Sequence, residues 1–92
     1  MSELVIEVET AKSAMAEIRP ALDAALHQHF PGGMLQRRWE EDVLHLWGPG
    51  AQATVKLVEG RLIGRAELRP PASLLRSVIE EKVSAALRAV AG

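Results

Sequence analysis

Residues 35–68 read LQRRWEEDVLHLWGPGAQATVKLVEGRLIGRAEL, and the fold is decided by the parity of that stretch. Apolar side chains recur there with a period of two, the signature of strands with one buried face. Three short breaks punctuate the pattern: Glu41-Asp42, Gly48-Pro49-Gly50 and Glu59-Gly60. If Glu41-Asp42 is a two-residue hairpin turn, Trp39 faces Leu44, Arg37 faces Leu46, and Arg38 opposes His45 on the other side. If the Gly48-Pro49-Gly50 corner brings Leu46 opposite Ala53, Leu44 falls opposite Val55 on the same side. With Glu59-Gly60 as the last turn, Leu57 faces Leu62, Val55 faces Gly64 and Ala53 faces Ala66. All three turns keep the faces in phase, so the segment predicts a four-stranded antiparallel meander. Its inner face carries Trp39, Leu44, Leu46, Val55, Leu57, Leu62 and Leu68.

Upstream, Leu4, Ile6 and Val8 alternate with Val5 and Glu7, which predicts a strand over residues 4–8. Thr10 is then expected to cap a helix whose apolar stripe runs through Ala11, Ala14, Met15, Ile18, Leu22, Ala25, Leu26 and Phe30. Pro20 lacks the amide that would bond back to Ala16, so the helix is expected to kink or divide there. Pro31-Gly32-Gly33 ends it. Downstream, Arg69-Pro70-Pro71 breaks the last strand, and Leu75, Ile79, Val83, Ala86, Leu87 and Val90 repeat at helical spacing.

The expected order is strand, helix, four-strand antiparallel meander, helix, an α+β chain with two helices on one face of a five-stranded sheet. A helical return makes the second strand run the same way as the first. The first strand can then pair antiparallel with the last, giving the spatial order 2-3-4-5-1. Ala53, Gly64 and Ala66 are small inner positions where a helix backbone is expected to approach closely, leaving little volume for a ligand cavity.

Composition agrees with a single domain over residues 1–92: apolar residues are 48% and charged residues 25% of the chain. Eleven basic against twelve acidic side chains give a net charge of −1, with no polybasic tail for nucleic acid or membrane. There is no cysteine, hence no disulfide, thiol nucleophile or thiolate zinc site. The N-terminal residues show no signal-peptide pattern and no apolar run approaches the ~20 residues that span a bilayer, so a cytoplasmic chain without membrane insertion is expected.

Few residues suggest chemistry. His27 and His29 stand two apart on a helix and point to nearly opposite sides, unlike the three- or four-residue spacing of helical metal ligands. No serine stands in a Gly-x-Ser-x-Gly elbow, and Gly48-Pro49-Gly50 matches neither a phosphate loop nor a dinucleotide fingerprint. Glu40, Glu41 and Asp42 read as a solvated turn. An enzyme, a metal centre and a bound cofactor are therefore not expected.

The outer face of the meander says more. The register aligns Arg38, His45, Thr54 and Arg65 in one cross-strand ladder, and residues 35–76 hold seven basic against five acidic side chains. Sheets that read single-stranded RNA combine such charge with two or three exposed aromatic rings, and here only Trp47 is in place, so no nucleic-acid partner is expected. Val58 shares this face, where Val43, Trp47 and Ile63 add a discontinuous apolar surface beside Arg65. These four residues are the candidate surface contact, either with a second copy in a weak homodimer or with a hydrophobic particle.

Trp39-Glu40-Glu41-Asp42-Val43-Leu44-His45-Leu46, Val58-Glu59-Gly60-Arg61-Leu62 and Ile79-Glu80-Glu81-Lys82-Val83 together resemble the polyhydroxyalkanoic acid system protein family, also called the polyhydroxyalkanoate granule region family. The likeness runs roughly from Leu4 to Leu87, through a Trp-Glu-x-Asp-x-Leu hairpin and a closing helix with an Ile-Glu pair. The chain departs from that pattern at Glu41, where glycine is frequent, at Leu46, where an aromatic is frequent, and at Pro20. The resemblance implies a bacterial, non-enzymatic accessory of storage-polyester metabolism that meets polyhydroxyalkanoate granules or their coat proteins, and it carries no catalytic residues over. The alternative is a small helix-grip-type module holding an acyl or other apolar ligand between helix and sheet. Apolar surface outside, around Trp47 and Ile63, favours the first; apolar surface inside, around Ala53, Gly64 and Ala66, favours the second.

Overall fold

A computed structural model describes residues 2–33 and 35–91. Five strands and two helices follow one another as β1 (Ser2–Glu9), α1 (Met15–His29), β2 (Gln36–Glu40), β3 (Val43–Gly48), β4 (Ala51–Val58), β5 (Arg61–Leu68) and α2 (Arg76–Ala91). A short 3₁₀ turn, Ala72–Leu75, leads into α2. The sheet order is β1-β5-β4-β3-β2 and every neighbouring pair is antiparallel. The class is thus α+β, in the expected element order.

The hairpin registers are those that parity requires. Trp39 pairs with Leu44 and Arg37 with Leu46 across the first turn. Leu46 lies opposite Ala53 and Leu44 opposite Val55. Beyond the last turn, Leu57 meets Leu62, Val55 meets Gly64 and Ala53 meets Ala66. Each turn has two central residues. Glu59 and Gly60 both have positive φ, 48° and 77°, the backbone twist that suits a tight hairpin. Glu41 also lies in the left-handed region, with φ 55°, a conformation glycine adopts without the steric cost a Cβ imposes. Gly50 has φ 74°, and its position is enforced by space as well: a Cβ there would collide with the Arg69 carbonyl oxygen.

One side of this sheet is covered. Leu44, Val55, Leu62 and Leu68 from the strands are buried with Ile18, Leu22 and Leu26 of α1 and Ala86, Leu87 and Val90 of α2. α1 lies towards β2, where it is pinned by polar contacts as well as apolar ones. The indole Nε1–H of Trp39 donates to Asp23 Oδ1 at 3.0 Å, and Arg37 Nε stands 3.5 Å from the same oxygen. The Arg19 guanidinium sits 4.9 Å from the centre of the Trp39 ring. Trp39 is therefore half-buried at the edge of the core and bonded across to α1, not sealed within it.

Three local expectations change. Thr10 does not cap α1, which begins at Met15 after Ala14 with no side-chain cap. The Thr10 hydroxyl instead donates to the Ala91 carbonyl at 2.9 Å and accepts from the Lys12 amide, while the Thr10 amide bonds to the Gly60 carbonyl. Thr10 thus ties the end of β1 to the last turn of α2, and Ala11 and Ala14 are left exposed. Pro20 does not divide the helix: Met15–His29 is one element with Pro20 in its second turn. Proline removes one bond of the ladder, the one to the Ala16 carbonyl, and the rest of the helix continues through it. Leu75, read as part of the buried stripe of the last helix, is 57% exposed because it belongs to the 3₁₀ turn that precedes α2.

The two tryptophans separate the faces. Trp39→Ala should lower stability by about 2–4 kcal/mol, near the low end for aromatic truncation because the ring is half-buried, while Trp47→Ala should change it by less than about 1 kcal/mol. Chemical denaturation of both variants checks this; a larger loss at Trp47 would mean that the meander is inside out.

Candidate functional site

The side chains projecting inward form rows across the sheet, and the two helices cover those rows unequally. In the row Trp39, Leu44, Val55, Gly64, Ile6, α2 comes close enough that a Cβ built on Gly64 would lie 3.3 Å from Leu87 Cδ1 and 3.9 Å from Val83 Cγ1. Leu87 is fully buried and has little freedom to yield. The missing side chain at Gly64 is what lets α2 seat on β5.

In the next row, Leu46, Ala53, Ala66 and Leu4 lie side by side, and neither helix reaches down to the two alanines. α1 has already ended at His29, where the Phe30 amide closes the helix on the Leu26 carbonyl, and the chain leaves through Pro31, Gly32 and Gly33. A half-open groove of about 530 Å³ remains over this row. Phe30, Pro31 and Leu35 form one wall; Leu75, Val78, Ile79 and Lys82 form the other. The expectation that small residues would bring helix and sheet together at all three positions holds at Gly64 only. At Ala53 and Ala66 the small side chains leave volume instead, more than the little that two covering helices were expected to spare.

That volume lies within the ~300–1,000 Å³ range of small-molecule sites, and its lining is almost wholly apolar. The apolar character continues to the rim. Val78 is 47% exposed and the neighbouring Leu74 80%, on the stretch where the 3₁₀ turn passes into α2. Arg76 fixes this stretch to the sheet through a 2.9 Å bond from Nη2 to the Glu3 carbonyl.

Val43, Trp47, Ile63 and Arg65 all lie on the opposite, uncovered face, as the register requires. There the structure brings Trp47 and Arg65 together around a shallow depression that also holds His45, Gln52, Thr54 and Glu67. Val43 and Ile63 lie outside it. Ile63 is flanked on its neighbouring strands by Lys56 and Glu7, and Val43 is opposite Glu40. Trp47 is 42% exposed, and Val58 and Val5 are exposed on the same face, opposite Arg61 and Arg65. The ladder of Arg38, His45, Thr54 and Arg65 is present and continues to Val5.

Among the described residues, no group of three or more His, Cys, Asp or Glu side chains is placed to hold a metal ion. Nor is any described helix long and apolar enough to cross a membrane. No family model matches this chain, and no curated protein matches it in sequence.

The sequence pattern missed Phe30, Leu35, Val78 and Lys82 as groove residues. Their residue types mark them as apolar or amphipathic, but only the point where α1 stops leaves them lining an opening. Gly64→Val should cost about 1–3 kcal/mol by forcing α2 off the sheet, whereas Ala53→Val, which points into free volume, should be neutral to within about 0.5 kcal/mol. Thermal melts of the pair test the difference; equal losses would mean that the floor of the groove is as tightly covered as Gly64.

Proposed function

We propose that this chain is a small binding module of helix-grip type that holds an acyl or other apolar ligand between its helices and the inner face of its sheet. The observation that carries the reading is the half-open apolar groove of about 530 Å³ above Ala53 and Ala66. A bound chain burying on the order of 200 Å² there gains ~5 kcal/mol at ~25 cal/mol per Å², before the costs of association, which corresponds to weak binding. The role needs no catalytic residue and no cofactor: shape and apolar lining do the work, and the protein binds without turning its ligand over.

The resemblance to the polyhydroxyalkanoate family supports a second reading, in which a cytoplasmic accessory protein meets storage granules or their coat proteins. The observation favouring it is the exposed indole of Trp47 on the uncovered sheet face, bordering the same shallow depression as Arg65. The same face is where a second copy would dock as a weak homodimer.

The test uses octan-1-ol, an uncharged probe, in thermal melts of the wild type and of Ala66→Phe, whose ring would occupy the groove. At about ten times its Kd the probe should add ~1.4 kcal/mol of stability to the wild type, a rise of roughly 5–10 °C in Tm, and nothing to the variant. No rise in the wild type overturns the groove reading. Co-sedimentation with polyester granules that is lost in a Trp47→Ser, Ile63→Ser variant and kept in Ala66→Phe would move the function to the outer face.

A further inference from the structure

The groove has a charged end. Among the described residues around it there is no Asp or Glu, and two side chains on its inner side carry basic nitrogen: Lys82 on α2 and His29 on the last turn of α1. Thr54 and Arg65 also border it, but their register puts their side chains on the other face of the sheet.

Lys82 follows Glu80 and Glu81 in the chain, but neither stands three or four positions from it on α2 and neither pairs with it. Three and four positions away on α2 stand Val78, Ile79, Ala85 and Ala86, the places from which a carboxylate would reach it along the helix. None of the ion pairs among the described residues involves Lys82. Its Nζ lies over the ring of Phe30, 5.6 Å from the ring centre. Lys82 is also half-buried among the residues that line the groove, the burial expected of a lysine whose stem covers apolar surface while its ammonium group keeps contact with water. An apolar groove edged by a cation without a carboxylate is complementary to a molecule with an alkyl tail and an anionic head.

Resting on the groove reading above, we propose that the ligand class is a free alkyl monocarboxylate, whose chain lies over Ala53 and Ala66 and whose head is held by Lys82. A carboxylate accepting a charge-assisted hydrogen bond from an ammonium gains more than a hydroxyl in the same place, and a cationic head is repelled. Charge at the head thus sets the ligand class, and the apolar groove sets only that there be a tail.

The experiment compares octanoate, octan-1-ol and octylammonium by titration calorimetry on the wild type, Lys82→Met and Lys82→Glu, each checked for folding by a thermal melt. In the wild type octanoate should bind about tenfold more tightly than octan-1-ol, and octylammonium more weakly than either. Lys82→Met keeps the apolar stem and should bring octanoate and octan-1-ol to within about twofold of each other; Lys82→Glu should reverse the order of the two ions. Equal binding of octanoate and octan-1-ol by the wild type overturns the choice of head group while leaving the groove reading intact. A preference for octanoate that survives in Lys82→Met overturns the role of Lys82. Absence of binding by all three probes overturns the groove reading and this proposal together.

Discussion

The inner face exists because three consecutive two-residue turns keep the pleat of β2 to β5 in phase. A strand places alternate side chains on opposite faces, so a slip of one residue at any hairpin would send Leu44 and Leu46, or Leu62 and Leu68, into solvent. The observed register avoids this at every turn, even where the backbone must enter the left-handed region at residues that carry a Cβ, Glu41 and Glu59. The cost at such positions is of order 1–2 kcal/mol each, and it is outweighed by keeping Leu44, Val55 and Leu62 fully out of water. β1 then adds to β5 with Leu4 and Ile6 on the same side, and the two helices have one continuous apolar surface to cover.

They cover it unevenly, for reasons that lie in a few residues. At one end Gly64 lets Leu87 and Val83 of α2 settle directly on β5, and the Thr10 hydroxyl holds the last turn of that helix at Ala91. α1 is held to β2 through Asp23, which serves both Trp39 and Arg37. At the other end the helix stops at His29, Pro31 turns the chain away, and the small side chains of Ala53 and Ala66 do not reach up to fill the gap. Close packing and an open groove are thus produced by the same class of inner residue, and what separates them is whether a helix passes overhead.

That distinction marks how much was legible in the sequence. Hairpin pairing follows from turn length and alternation, both local properties, and so the register from Trp39 opposite Leu44 to Ala53 opposite Ala66 could be read directly. The direction of the chain permitted an antiparallel β1 beside β5 without requiring it, and that is the arrangement found. Thr10, a threonine before an apolar stripe, has the local pattern of an N-cap, while its actual partner, the Ala91 carbonyl, lies 81 positions away in the chain. The groove stands only as the alternative reading in the sequence for a related reason: small inner residues at Ala53, Gly64 and Ala66 allow either close packing or space, and only the three-dimensional end point of α1 specifies that no helix fills it. Val43, Trp47, Ile63 and Arg65 were assigned to the correct face, since parity alone decides that. Their separation by Lys56, Glu7 and Glu40 was contained in the same register, and shows why face assignment is a weaker statement than a site.

The account therefore turns on which side of the sheet an apolar molecule meets. An inner binding site requires a ligand chain to approach the methyl groups of Ala53, Ala66 and Leu46, all on the floor of the groove, and to stay away from the outer face. Intermolecular nuclear Overhauser effects between octanoate and methyl-labelled protein measure this directly. Cross-peaks from the alkyl protons to Ala53, Ala66 and Leu46 are the predicted result. Cross-peaks confined to Val43 and Ile63 on the outer face would contradict it.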